Sequence, residues 1–416
     1  MPETQEHPVR HRTRRMLGRD PHEAGRASTP LELLFDLTFV VAFGTAANEL
    51  AHALAADHVG TGIGAFAFAT FGISWAWINF TWFASAYDTD DWVYRLTTML
   101  QMVGVLIFAL GIHPMFKSVT EHGETLDNDV IVWGYVVMRV AMLFQWWRAG
   151  RHDPSRAPAC RTYIASIAVA QVLWCVLALV DLPVGTTFAL ILVPFLIEIG
   201  GPAVAELRRG GTPWHAHHIA ERYGLMVIIC LGEGMIGTMA AINVLAEDGL
   251  TWEIGLFTLA GTALTFGIWW CYFVVPTGDI LHARRERSFG FGYGAIGLFG
   301  TIVAIGAGLH VGAYYVEHHS KLHLTGTVLS VVVPVALFLA VFYAGYSFLT
   351  RSVDAFHLVL LAITTVVLVV PVLMAQADVE LAWCLLVVSL APWVTVVGYE
   401  VVGYRHNIEV LESLND

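Results

Sequence analysis

The chain alternates long apolar runs with short polar or charged breaks, and most of the runs exceed what a strand or a buried core helix needs. A bilayer hydrocarbon core takes about 20 apolar residues in helical form. Read with that length, the pattern predicts spans at 33–54, 60–86, 93–113, 130–147, 162–181 and 184–200, then at 222–245, 254–275, 290–313, 325–350, 354–374 and 379–402. The expected fold is all-α: a polytopic transmembrane bundle of about 12 helices.

The breaks between the runs give a direction. With the N-terminus on the cytoplasmic side, 19 arginines fall on that side, from Arg10 to Arg405, against Lys117 and Lys321 outside, while Arg139 lies within a helix. The positive-inside rule then places both termini in the cytoplasm and agrees with an even helix count. Residues 1–30 are Arg-rich and polar with no apolar stretch after Arg14-Arg15, so they are expected to form a flexible cytoplasmic tail and not an export signal. Residues 405–416 are expected to form a second cytoplasmic tail.

Composition adds exclusions. Of 416 residues 56% are hydrophobic and 13% charged, about half the charged share of a soluble domain. The net charge of −12 reflects outer loops carrying, among others, Asp57, Glu121, Asp127, Asp129, Glu247, Asp248, Glu317 and Asp378. Such a face either concentrates cations or only solvates short loops, and nucleic-acid binding has no support. The odd number of cysteines, 5, carries no disulfide framework or zinc spacing, with Cys160 expected to face the cytoplasm. Both lysines lie in outer loops, which leaves none within the membrane for a Schiff-base cofactor.

An internal repeat is suggested by three alignments. Phe71-Gly72-Ile73-Ser74-Trp75 recurs as Phe266-Gly267-Ile268-Trp269-Trp270, Gly111-Ile112-His113 as Gly308-Leu309-His310, and Phe35-Asp36-Leu37 aligns with Tyr223-Gly224-Leu225. Six crossings return the chain to its starting side, so 31–205 and 206–404 would be parallel six-helix repeats. Chance matching in an apolar alphabet is the competing explanation.

Ionisable residues inside spans are costly and usually face a bundle interior or a cavity. Arg139 lies about 14 Å from the outer edge of the fourth span and Glu233 at similar depth in the seventh, which suggests an Arg139–Glu233 pair, with Glu198 of the sixth span as a second candidate partner. Such a pair either fixes packing or serves transport. On the seventh span His215, His218, Arg222, Ile229 and Glu233 share one face, forming a polar track expected to open to the cytoplasm. Glu32 and Asp36 share a face of the first span, Glu32 as an early-turn acid after Pro30. Asp88, Thr89, Asp90 and Asp91 precede Arg95, where Asp88 or Thr89 is expected to cap the third span and Asp91 to pair with Arg95. His217–Glu221 and His218–Arg222 are i,i+4 pairs without a metalloprotease pattern. No cofactor is expected. A metal or haem site is conceivable only if His113 and His310 approach through the pseudo-twofold, and His318, His319 and His323 with Glu317 form a weak outer metal or pH-sensing candidate.

Several of these segments resemble the bacterial low-temperature-requirement protein A family of polytopic membrane proteins. The resemblance rests on Pro30–Val40, on Tyr87-Asp88-Thr89-Asp90-Asp91 with Tyr94-Arg95-Leu96, on His217-His218-Ile219-Ala220-Glu221-Arg222-Tyr223 running to Leu231-Gly232-Glu233, and on Trp269-Trp270-Cys271-Tyr272-Phe273. The family usually has an acid where Val274 stands and a histidine where Ala295 stands. It implies an integral membrane protein and brings no settled activity. Three functional readings follow: a transporter or ion- or proton-coupled carrier of a small substrate, a structural or sensory membrane protein supporting growth in the cold, and an intramembrane metal- or cofactor-binding enzyme. The last lacks a recognisable nucleophile or metal motif. The partners expected are the lipid bilayer, in a bacterial inner membrane, and a small solute or ion.

Overall fold

The computed structural model describes residues 13–121, 124–246, 251–352, 355–404 and 412. Among them all helices and turns assemble without a β-strand, and twelve helical segments are long and apolar enough to cross a membrane. The expected outer acids Glu247 and Asp248, Arg405, residues 1–12 and the C-terminal tail other than Glu412 lie outside the described residues.

The first six spans are α1 (Pro30–Ala55), α2 (Val59–Tyr87), α3 (Trp92–Thr120), α4 (Asp129–His152), α5 (Ala157–Leu179) and α6 (Val184–Arg208). The next are α7 (Ala216–Ala246), α8 (Trp252–Phe273) with the short α9 (Thr277–Ala283), α10 (Ser288–Val316), α11 (Leu324–Thr350) and α12 (Ala355–Gln376). The last span is split into α13 (Leu381–Ser389) and α14 (Ala391–Gly398), followed by a π turn over Tyr399–Gly403. The split falls just before Pro392, whose ring nitrogen cannot donate to the preceding turn. Several helices outrun their apolar windows, because backbone hydrogen bonding continues into polar ends. One result is that Cys160, expected to face the cytoplasm, lies in the first turn of α5 and is fully buried.

Helix ends obey local chemistry. Thr29 caps α1, Pro30 opens it, and Glu32 completes a capping box by accepting from the Thr29 amide at 2.8 Å. Asp91, not Asp88 or Thr89, caps α3 by accepting from the Tyr94 amide at 2.9 Å. Its carboxylate also binds Arg148 of α4, so the expected Asp91–Arg95 pair does not form. Arg95 instead forks onto Asp90 with two contacts of 2.8 Å. The left-handed turn at Asp90 turns that side chain toward Arg95, leaving Asp91 facing the bundle.

Neighbours in sequence are neighbours in space: α1 packs on α2 and α3, α3 on α4, α4 on α5 and α5 on α6. From residue 216 onward α7 packs on α8 and α10, α10 on α11, α11 on α12 and α12 on α13. At the centre α1 and α2 meet α7 and α10. The α7–α10 crossing is close enough that a Cβ on Gly237 would stand 2.4 Å from the Gly306 carbonyl oxygen, so only glycine fits there.

Residues 13–29 correct the expectation of a flexible tail. They form an irregular strap across the arginine-rich end of the bundle, held mainly by backbone and guanidinium hydrogen bonds. The Arg14 amide donates to Asp91 at 2.8 Å, the Met16 amide to His152 at 3.1 Å and the Arg19 amide to the Ala86 carbonyl at 2.9 Å. The Arg26 guanidinium takes up the Ala84 and Ser85 carbonyls at the C-terminal end of α2, and the Ser28 amide donates to Glu221 at 3.2 Å. The Ser85 and Ala86 carbonyls lie in the last turn of α2, where the intrahelical ladder ends, and the Ala84 carbonyl takes Arg26 in addition to the Asp88 amide, which is why a basic strap binds there.

Candidate functional site

Two ionic centres are buried in the bundle, and α2 carries a tryptophan to each. Residues two apart on a helix lie about 200° around it, so Trp75 and Trp77 point to opposite sides. The indole N–H of Trp75 donates to Glu198 at 2.6 Å, and that of Trp77 to Asp36 at 2.6 Å. Buried indole N–H groups usually find such an acceptor, although those of Trp146 and Trp174 in the same bundle have none among the described residues.

The first centre joins α4, α5 and α6. Arg139 Nη2 lies 3.2 Å from Glu198 Oε2, with Tyr135 donating to the same carboxylate and accepting from Arg139. Gln171 donates to Glu198 Oε1 at 3.1 Å. The Arg139–Glu233 pair inferred from depth therefore does not exist. Depth was matched, but the partner is set by lateral adjacency, and Glu198 is the carboxylate carried beside α4. One arginine faces one carboxylate, so this centre is charge-balanced, and Glu198 is well hydrogen-bonded although Arg139 Nε has no partner among the described residues, an arrangement suited to a packing element.

The second centre joins α1 and α7. Arg222 binds Asp36 through Nε at 3.1 Å and Nη2 at 2.5 Å, while its Nη1 lies 2.9 Å from Glu32 Oε1, an ionic contact off the hydrogen-bond axis. His218 Nε2 lies 3.3 Å from Glu32 Oε2, which also receives the Thr29 amide and hydroxyl at 2.8 and 3.0 Å. Glu32, His218 and Arg222 are fully buried. Two carboxylates face one arginine and one histidine, so the centre bears one excess negative charge with neutral His218 and none with protonated His218. His218 Nδ1 and the neighbouring Tyr94 hydroxyl are buried without a hydrogen-bond partner.

Glu233 continues the face of α7, about 16 Å beyond Arg222 at 1.5 Å per residue. It is buried, and among the described residues it makes no hydrogen bond or ion pair. Glycines frame it: a Cβ on Gly44 of α1 would stand 3.1 Å from its Oε1, and one on Gly306 of α10 would stand 2.6 Å from its carbonyl carbon. His215, just before α7, and His218, Arg222 and Glu233 on it are all buried, while Ile229 of the same face is half-buried. The track is not open, however. His215 is bound by the Glu23 carbonyl at 2.9 Å and by Ser85, so the strap covers that end.

The loop between α2 and α3 is more than capping. Asp88 is buried, accepts from the Asp90 amide at 2.9 Å, and is pushed up to about 6 by burial and by the nearby Glu32 charge. A carboxyl whose folded pKa is raised stabilises the fold below its unfolded value, and that contribution is lost as pH rises from about 4 through about 6. Asp88→Asn, which keeps the turn acceptor, is expected to match the wild type near pH 4 and to exceed it at pH 7–8 by up to roughly 3 kcal/mol, read from unfolding curves across that range. Glu221 is drawn to the strap, and His217 binds Asp279 at 3.0 Å, so neither forms the i,i+4 pair expected. His218 likewise turns from Arg222 to Glu32.

The histidines expected on the outer side do not assemble. His113 binds Glu49 at 2.8 Å, whereas His310 stacks on Tyr314, so the pair proposed across the pseudo-twofold is not made. His319 reaches Glu317 at 3.2 Å, His318 occupies a left-handed turn and His323 begins α11. No group of three potential metal ligands is found among the described residues. Sequence reasoning missed Trp75, Trp77, Tyr135, Gln171 and Tyr94. The signal available for the first two was an indole donor in mid-membrane, which usually takes an acceptor.

Comparisons with known proteins add one relative and one family. An uncharacterized protein of Rhizobium meliloti (strain 1021) is 27% identical over 301 residues, covering 68% of each chain. No solved structure matches. The family model for the bacterial low temperature requirement A protein matches residues 27–392, which takes in both buried centres, Glu233 and the α2–α3 loop. With that match and twelve helices able to span a bilayer, the chain is an integral membrane protein that belongs to the bacterial low temperature requirement A (LtrA) family.

Proposed function

We propose that the protein is a proton-coupled carrier of a small solute or ion in the bacterial inner membrane, with both termini cytoplasmic. The observation that carries this reading is the contrast along α7. The Arg139–Glu198 centre is charge-balanced, whereas Glu32, Asp36, His218 and Arg222 hold an excess negative charge and Glu233 stands alone. A proton taken by His218 or Glu233 removes net charge from the membrane interior, which is what a coupled carrier needs when it changes access. The similar packing order of the two sets of six spans supports a parallel repeat, with the unbalanced groups where α1 and α2 meet α7 and α10. The strap across His215 corresponds to a state closed at the cytoplasmic side.

Purified protein in liposomes loaded with a pH-sensitive dye tests this. A member of a broad solute panel is expected to drive proton movement that Glu233→Gln abolishes, while the variant's thermal stability equals or exceeds that of the wild type because no partner is lost. If no solute moves protons and Glu233→Gln supports growth in the cold as the wild type does, the carrier reading falls and the structural or sensory one replaces it. Metal analysis and an absorption spectrum of the same preparation test for a bound cofactor.

A further inference from the structure

A cleft of about 490 Å³ opens in the outer wall of the bundle between α10 and α11. That volume lies within the roughly 300–1,000 Å³ of small-molecule sites. Its lining is predominantly apolar, with Phe291, Leu298, Val341 and Phe342 among the walls. The opening is made by glycine: Gly290, Gly294, Gly297 and Gly345 are exposed, and a Cβ on Gly294 or Gly345 would meet nothing within 4 Å. The cleft uses the first ten or so residues of α10 and the last ten of α11, about 15 Å of helix. It therefore occupies the half of the hydrocarbon layer next to the arginine-rich end.

The rim has the opposite character. Arg287 lies over the Phe348 ring at 4.5 Å, and Arg284 donates to the Leu349 carbonyl at 2.8 Å, Phe348 and Leu349 being part of the lining. Arg351 follows the end of α11 and is paired with Glu286 at 3.0 Å. Three arginines against one glutamate leave two positive charges above an apolar slot. Arg285 is turned away, stacked on Trp214 at 3.8 Å.

We propose that this cleft is a binding site for an anionic phospholipid, with an acyl chain lying along Gly294 and Gly345 and the headgroup phosphate on Arg284 and Arg287. An acyl chain matches the slot because it is narrow, flexible and already dissolved on the open side. An anionic headgroup matches the rim, where basic side chains between spans recognise lipid phosphate and net charge. Guanidinium groups hold phosphate through paired N–H donors. The site is separate from the ionic centres of α1 and α7 and does not depend on the carrier reading.

Native mass spectrometry of delipidated protein, titrated with phosphatidylglycerol or with phosphatidylcholine of the same chains, tests the assignment. One phosphatidylglycerol is expected to bind in preference to phosphatidylcholine. Arg287→Gln and Arg284→Gln should each weaken it about fivefold, and together about 25-fold. Gly294→Leu with Gly345→Leu should remove the site while the protein keeps its wild-type thermal transition, since both positions face open space. Equal binding of the two lipids would overturn the headgroup assignment. Unchanged phosphatidylglycerol binding by the leucine variant would overturn the cleft.

Discussion

Arg222→Leu is expected to lose about 3–5 kcal/mol of stability, the usual result of removing one partner from a buried ionic cluster. Against a typical total of about 5–15 kcal/mol, little folded protein should survive extraction. The cause is the geometry of one guanidinium placed between Asp36 and Glu32 with contacts of 2.5 and 2.9 Å. Leucine leaves both carboxylates facing each other in a site closed to water. Arg222→Lys should recover only part of the loss, because an ammonium lacks the fork that reaches both acids. Adding Asp36→Asn to Arg222→Leu should recover more than the lysine does. Thermal unfolding of detergent-purified variants reads all three. A wild-type transition for Arg222→Leu would mean that the acids are protonated in the folded state and that the ion-pair account is wrong.

The second large effect is non-additive. Arg139→Met strands Glu198, and Glu198→Gln strands Arg139, so each single change should cost about 3–5 kcal/mol. The double variant should be much closer to the wild type. The glutamine carbonyl can still accept from Trp75 and Tyr135, and Gln171, whose Oε1 has no partner, can flip to accept from the new amide. A double-mutant cycle in unfolding free energy should therefore show strong coupling. Additive losses would show that the two residues do not act as a pair. The same double variant should retain whatever proton movement the wild type performs, which separates this centre from the one on α7.

The number of spans and the charges within them, Asp36, Arg139, Glu198 and Glu233, could be read from hydropathy, because a charge in an apolar run stands out regardless of its neighbours, whereas the burial of Arg26, Asp91 and Arg148 beside the spans could not. Nor could partners. Arg139 and Glu233 share a depth, but periodicity along one helix says nothing about which helices touch, and Glu198 arrives through the packing of α4, α5 and α6. The α7 face was legible because His218, Arg222 and Glu233 obey a single helical period. Its closure was not, since the strap has no periodicity and binds largely through backbone amides, which every sequence possesses. Asp91 illustrates a finer limit: four neighbouring acids or hydroxyls can all cap a helix, and the left-handed turn at Asp90 decides which one does.

The sequence separation within the α1–α7 centre has a consequence for biosynthesis. Arg222 follows Asp36 by 186 residues. At about 5–20 residues per second, roughly 10–40 s of translation elapse before the arginine is made. The first helix therefore enters the bilayer without its counter-charge, with Glu32 and Asp36 held as neutral acids in its first two turns, releasing their protons only when α7 docks. The strap, although synthesised first, can close the bundle only after that event, so its protection from protease would report the completion of assembly.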